Sequence, residues 1–150
     1  MDRYWDDLRV GECWTSAPFT VSAEEIVAFG RAYDPQPMHT DPAAAARGRF
    51  GGLIASGWHV AALAMRAFVG AKPFGDTPLL GIGVDELRWL KPVRPGDELT
   101  VRREVIELKR SESKPDRGMV RTRGTVTDGS GETVMTVEVL TQMPLRPTGP

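Results

Sequence analysis

The stretch Phe50-Gly51-Gly52-Leu53-Ile54-Ala55-Ser56-Gly57-Trp58-His59-Val60-Ala61-Ala62-Leu63-Ala64-Met65 contains no charged residue. It is shorter than the roughly 20 apolar residues that cross a bilayer, and Gly51, Gly52, Ser56, Gly57 and His59 interrupt it. It reads as a buried helix of a globular domain, starting near Ser56-Gly57 and ending about Gly70. Trp58, Ala61, Ala62, Met65 and Val69 fall on one face at helical spacing. Small Ala61, Ala62, Ala64 and Ala67 permit close packing, and Arg66 gives the helix one polar edge. A sheet wrapped around most of such a helix would bury it.

Downstream the pattern changes. Leu79–Leu90, Glu98–Arg110, Met119–Thr127 and Thr133–Gln142 are rich in Val, Thr and Leu and read as long strands. Leu99, Val101 and Val105 alternate, then Ile106 and Leu108 take the opposite phase, which predicts a bulge near Val105. Pro115-Asp116-Arg117-Gly118 and Asp128-Gly129-Ser130-Gly131 are turn sequences, so the last three strands form an antiparallel meander. One more strand is expected around Glu12–Val21.

Upstream, Ser22-Ala23-Glu24-Glu25 is a capping box that opens a helix. Ile26, Phe29, Gly30 and Tyr33 give it one apolar stripe. Asp34-Pro35-Gln36-Pro37 stops it, because each proline disfavours helical geometry in the residue before it. The expectation is a rigid, non-helical loop from Asp34 to His39. Asp41-Pro42 then supplies a cap and a proline at the first helical position, opening a short turn through Ala43–Ala46 that Gly48 ends. Helices segregated from an antiparallel sheet define an α+β domain, taken as residues 1–143 with a fraying tail at 144–150.

The chain of 150 residues carries a net charge of −1, with 41% hydrophobic and 26% charged residues. That composition is globular, and its near-neutral, sign-interleaved charge speaks against nucleic acid or an anionic membrane as partner. The single cysteine, Cys13, excludes an internal disulfide, and with two histidines a His/Cys metal site is not expected. The acidic N-terminus (Asp2, Asp6, Asp7) has no signal-peptide pattern, and the expected location is cytoplasmic. Gly81-Ile82-Gly83-Val84-Asp85-Glu86 lacks the third glycine of a dinucleotide fingerprint.

Chemistry then concentrates on few residues. Asp34 and His39, braced by two prolines, can share a water, one taking its proton while the other donates to a second atom. Gly57, if it opens the long helix, presents a backbone N–H at the positive end of the helix dipole, where it can hold a developing oxyanion. Asp41 is accounted for by capping, His59 by packing, and Arg121 and Arg123 by a solvated strand face.

The run Asp34-Pro35-Gln36-Pro37-Met38-His39-Thr40-Asp41, followed by Phe50 to Gly57, resembles the hydratase signature of the MaoC-like family, which includes the (R)-specific enoyl-CoA hydratases. Asp6-Asp7-Leu8-Arg9-Val10-Gly11-Glu12 is similar to that family's entry strand. Leu90-Lys91-Pro92-Val93-Arg94-Pro95-Gly96-Asp97 is similar to its P-V-x-P-G-D turn. The resemblance implies a hotdog fold, with a central helix wrapped by an antiparallel sheet, paired as a homodimer or dimer of dimers. It implies hydration of a trans-2-enoyl-CoA without a cofactor, coenzyme A being part of the substrate. Asp34 and His39 would activate water and the Gly57 amide would polarise the thioester carbonyl. Ser56, Trp58 and Phe50 are candidate substrate contacts, and Arg47 and Arg49 candidates for the nucleotide. Gln36 replaces the family's usual Asn, and Ser56 the His of its H-G pair; these changes are expected to alter loop support and the carbonyl end of the pocket. The rivals are a hotdog thioesterase and a non-catalytic acyl-CoA-binding subunit.

Overall fold

The computed structural model describes residues 1–149. After a 3-10 turn at Trp5–Asp7 come β1 (Cys13–Thr15), β2 (Phe19–Thr20), α1 (Ala23–Tyr33), α2 (Pro37–Thr40), α3 (Pro42–Arg47) and α4 (Gly57–Gly70). Four strands follow: β3 (Leu80–Trp89), β4 (Glu98–Arg110), β5 (Arg117–Asp128) and β6 (Thr133–Pro144). One antiparallel sheet has the order β1-β4-β5-β6-β3, with β2 also on β4. The predicted meander is β4-β5-β6, and its register shifts between Val105 and Glu107, where the phase of the sequence reverses.

Several expectations are corrected. The entry strand is two short strands, since the segment between them contains Pro18, which has no N–H to give the ladder. The Asp34–His39 segment is not wholly irregular: Pro37 opens a single helical turn that carries His39, because proline is well suited to a first helical position. Ser22 Oγ accepts from Glu25 N at 3.1 Å, but the Glu25 carboxylate faces Arg66, 3.9 Å away. The tail is anchored as far as Arg146: Leu145 N donates to Asp116 O, and Arg146 N donates to Asp6 Oδ2.

The largest correction concerns α4. Its buried residues are His59, Val60, Leu63 and Phe68, whereas Trp58, Met65 and Val69 are exposed. The helix is apolar almost all round, so its periodicity cannot say which side meets the sheet. The core lies between the sheet and α4, built from Val60 and Leu63 of the helix and Val101, Val126, Met135 and Val137 of the strands. A smaller cluster of Leu8, Val105, Val120 and Met143 closes the far end.

The turn before β4 follows its sequence closely. Gly96 has φ +82°, a conformation glycine adopts without strain. Its N–H donates to Val21 O, and Arg94 N donates to Asp97 Oδ2 at 2.8 Å.

Candidate active site

Asp34 is the C-cap of α1 and His39 sits one short turn later on α2. Gly30 brings the two helices together: a Cβ there would lie 2.9 Å from both His39 Cβ and His39 O. Only a glycine on α1 admits α2 at this distance.

His39 is buried and held from both ends. Its Nδ1 lies 2.7 Å from Ile54 O; a carbonyl only accepts, so Nδ1 carries the hydrogen and Nε2 is the free nitrogen of the neutral ring. Nε2 lies 3.3 Å from Asp34 Oδ2. The Asp34 carboxylate also accepts from Gln36 Nε2 at 2.8 Å and from Ser56 Oγ at 2.7 Å. Those two hydrogen bonds, Gln36 first, hold the carboxyl below its ordinary range despite partial burial. The result is an ionised carboxylate facing an imidazole nitrogen lone pair.

Gly57 begins α4, as expected. Ser56 O receives the N–H groups of His59 and Val60, while the first amides of a helix have no acceptor within it. A Cβ on Gly57 would lie 2.5 Å from the Trp89 ring, so the indole of Trp89 packs where any side chain would go. His39 and Gly57 line one open pocket of about 290 Å³, together with Met38, Trp89 and Lys91.

The other candidate residues disperse. Ser56 is buried and its hydroxyl is committed to Asp34. Trp58 projects from α4 and meets Trp89 edge to face at 5.1 Å. Phe50 lies under the Arg49 guanidinium, 5.2 Å from its ring centre, and its carbonyl accepts from Arg94 Nη2 at 2.7 Å. Arg47 ends α3 and is exposed; neither it nor Arg49 lines the pocket of His39 and Gly57, and Asp34 reaches it only through His39. His59 is stacked flat on Phe29 at 4.7 Å, away from that pocket. Asp41 caps α3 through Ala44 N, and Arg121 and Arg123 pair with Asp85 and Glu138.

Sequence reasoning missed Trp89, Ile54 and Arg94. Each acts through long-range packing or a backbone carbonyl, for which no local pattern exists. Gln36 was legible only as a departure from a motif, and the structure gives it a role: its longer amide reaches back to Asp34.

The comparisons with known proteins agree with this architecture. Residues 10–128 match the MaoC like domain. The chain is 34% identical over 102 residues to the uncharacterized protein YdeM of Bacillus subtilis, covering 68% of this chain and 72% of that one. Its structure is similar to the MaoC-like dehydratase of Rhodospirillum rubrum, with 39% identity, TM-score 0.87 and coverage of 97% and 99% of the two chains. The R-hydratase PhaJ1 of Pseudomonas aeruginosa is 27% identical, with TM-score 0.77 over 98% and 94%. With its α+β hotdog fold and the match spanning most of its length, the chain belongs to the MaoC-like domain family.

Proposed function

We propose that this protein catalyses the reversible hydration of a trans-2-enoyl-CoA to the (R)-3-hydroxyacyl-CoA. The observation that carries the reading is the Asp34–His39 pair, 3.3 Å apart and beside the start of α4. Two acceptors at that distance, a carboxylate and a bare imidazole nitrogen, both attract the hydrogens of one water. A water donating to both has its lone pair turned outward and is polarised for attack on the β-carbon. The proton it releases remains on the dyad and returns to the α-carbon.

The attack puts negative charge on the thioester oxygen. The Gly57 N–H, at the positive end of a 14-residue helix, supplies a donor for it. Losing one such donor typically costs about 3–4 kcal/mol in the barrier. No step calls for a cofactor, and coenzyme A enters as part of the substrate. The R-hydratase relative supports the reaction class and its stereochemistry.

We also propose that the working unit is a homodimer or a dimer of dimers. Among the described residues β3 is an edge strand, paired only with β6, and Leu80, Ile82 and Val84 on it are exposed alongside Trp58, Met65 and Val69 of α4. An open apolar edge of this kind favours pairing with a second copy. Among the described residues no helix is long and apolar enough to cross a membrane, and the proposed setting is the cytoplasm.

The test is direct. Purified protein is mixed with crotonyl-CoA and longer enoyl-CoAs, and loss of the conjugated thioester absorbance is followed. Turnover that Asp34→Ala and His39→Ala abolish supports the assignment; no turnover with any chain, or turnover indifferent to both variants, overturns it. Thiol release from saturated acyl-CoA would identify a thioesterase instead.

A further inference from the structure

Arg103 stands on the inner face of the sheet, under α4, without a carboxylate partner among the described residues. The β4–β5 register places it opposite Gly124 and places Val105 opposite Thr122, so all four belong to one face. Its guanidinium lies 4.2 Å from the centre of the Phe68 ring of α4, and Phe68 is itself boxed by Trp14 and Phe74 at 5.3 and 5.8 Å. Burial alone pulls the Arg103 pKa down to about 10, with no acidic group opposing it. It remains a cation at neutral pH.

Two cavities meet at this side chain. One, of about 110 Å³, is apolar and is walled by Trp58, Ala61, Ala64 and Met65 of α4 against Val126 and Val137 of the sheet. The other, of about 180 Å³, is walled by Trp14, Phe68, Phe74 and Thr122. Arg103 is the one described residue that lines both. The first shares no lining residue with the pocket of His39 and Gly57, but Trp58 on its wall meets Trp89 of that pocket edge to face at 5.1 Å. Measured along α4 at 1.5 Å per residue, the stretch from Ala64 to Phe68 near Arg103 lies roughly 10–16 Å beyond Gly57.

The second cavity also contains an orphaned donor. Thr122 Oγ1 is buried with no hydrogen-bond partner, and a buried hydroxyl without one costs free energy. The two acidic residues on that wall are already engaged, Glu12 with Arg3 at 2.6 Å and Glu104 with Arg102 at 3.0 Å. Stacking on Phe68 offsets only part of the cost of desolvating a guanidinium, because it satisfies none of the N–H donors. A half-buried cation with free donors, a neighbouring free hydroxyl and an adjoining apolar cavity together describe a receptor for an anion on an aliphatic stem.

We propose that Arg103, assisted by Thr122, binds a second carboxylate at the far end of the acyl chain, so that the preferred substrates are CoA thioesters of medium-length dicarboxylic acids. The inference rests on the hydratase reading for where the thioester sits, and it can be tested without turnover. Binding of a saturated acyl-CoA series, from butanoyl to dodecanoyl, is compared by calorimetry with the matching ω-carboxyacyl-CoA series. One of the ω-carboxy thioesters should bind about tenfold more tightly, or better, than the unsubstituted chain of equal length.

Arg103→Met, of similar length and apolar, should invert that preference, and Thr122→Val should weaken it. Arg103→Met should also raise Tm, since a half-buried, unpaired charge is removed; a purely structural arginine would lower it. Equal affinity for both series, or an unaltered preference in Arg103→Met, overturns the proposal. So does free adipate binding as tightly as the thioester, which would make the site one for small anions unrelated to the acyl chain. If ω-carboxy chains bind selectively but no enoyl-CoA is hydrated, the receptor stands and the hydratase reading falls. If monocarboxylic enoyl-CoAs are hydrated without any such selectivity, the reverse holds.

Discussion

Ser56 Oγ donates to Asp34 Oδ2 at 2.7 Å, joining positions 22 residues apart. Ser56 is the N-cap of α4, yet its side chain makes no capping bond to that helix. The cap position has been given over to the dyad. A hydroxyl here fixes the carboxylate beside His39 and links it to the start of α4, where Gly57 lines the same pocket as His39. Ser56 therefore supports the carboxylate with a hydroxyl that an N-cap would otherwise give to its own helix.

Ser56→Ala should consequently shift pH dependence more than fold. Asp34 is held below the ordinary carboxyl value, so its ionised form is present above that value and is lost as pH falls through the depressed one. Removing the Ser56 bond raises the pKa towards the ordinary carboxyl range, and the acid limb of the kcat/KM profile should move to higher pH. Gln36→Leu should move it in the same direction. A limb that stays in place in both variants would count against Asp34 as the titrating group.

Asp34→Asn and His39→Gln keep size and remove proton-transfer capacity. Each should lower kcat/KM by about 10²–10⁴, with circular dichroism unchanged. The double variant should be little worse than either single one, because residues acting as a unit are not additive.

Gly57→Ala introduces a methyl group 2.5 Å from the Trp89 indole. Overpacking of this kind costs about 1–3 kcal/mol, so Tm should fall and turnover with it. Trp89→Leu in the same chain should recover much of the Tm. Failure to recover would place the strain elsewhere than at this contact.

Gly30→Ala probes positioning at one remove from the chemistry. The added methyl pushes on His39 Cβ and carbonyl, displacing α2 from α1. The expected result is a drop in kcat with KM little affected, since the dyad moves and the acyl pocket does not. A change confined to KM would contradict this account.

Val84→Lys tests the proposed assembly. Val84 is 58% exposed on the edge strand, so a lone monomer tolerates the change and a paired edge does not. Light scattering should report a smaller species than the parent protein. An unchanged mass would move the interface away from β3.

Much of the architecture was legible because it is written locally. The caps at Ser22 and Asp41, the stop at Pro35, the turn at Gly96 and the phase reversal after Val105 each depend on a few neighbouring residues, and all appear where the sequence places them. The Asp34–His39 pair was legible too, because two prolines limit how far apart these groups can drift.

What local chemistry could not decide, packing did. An α4 apolar on nearly every side gave no direction to its faces, and only packing against the sheet turned Phe68 inward and Trp58 outward. The tie from Ser56 to Asp34, the indole over Gly57 and the unpaired Arg103 beneath Phe68 all join residues distant in the chain. Short-range sterics and hydrogen bonding specify elements; which side chains meet across the core depends on how those elements fill space together, and that is settled only when the sheet curls around the helix.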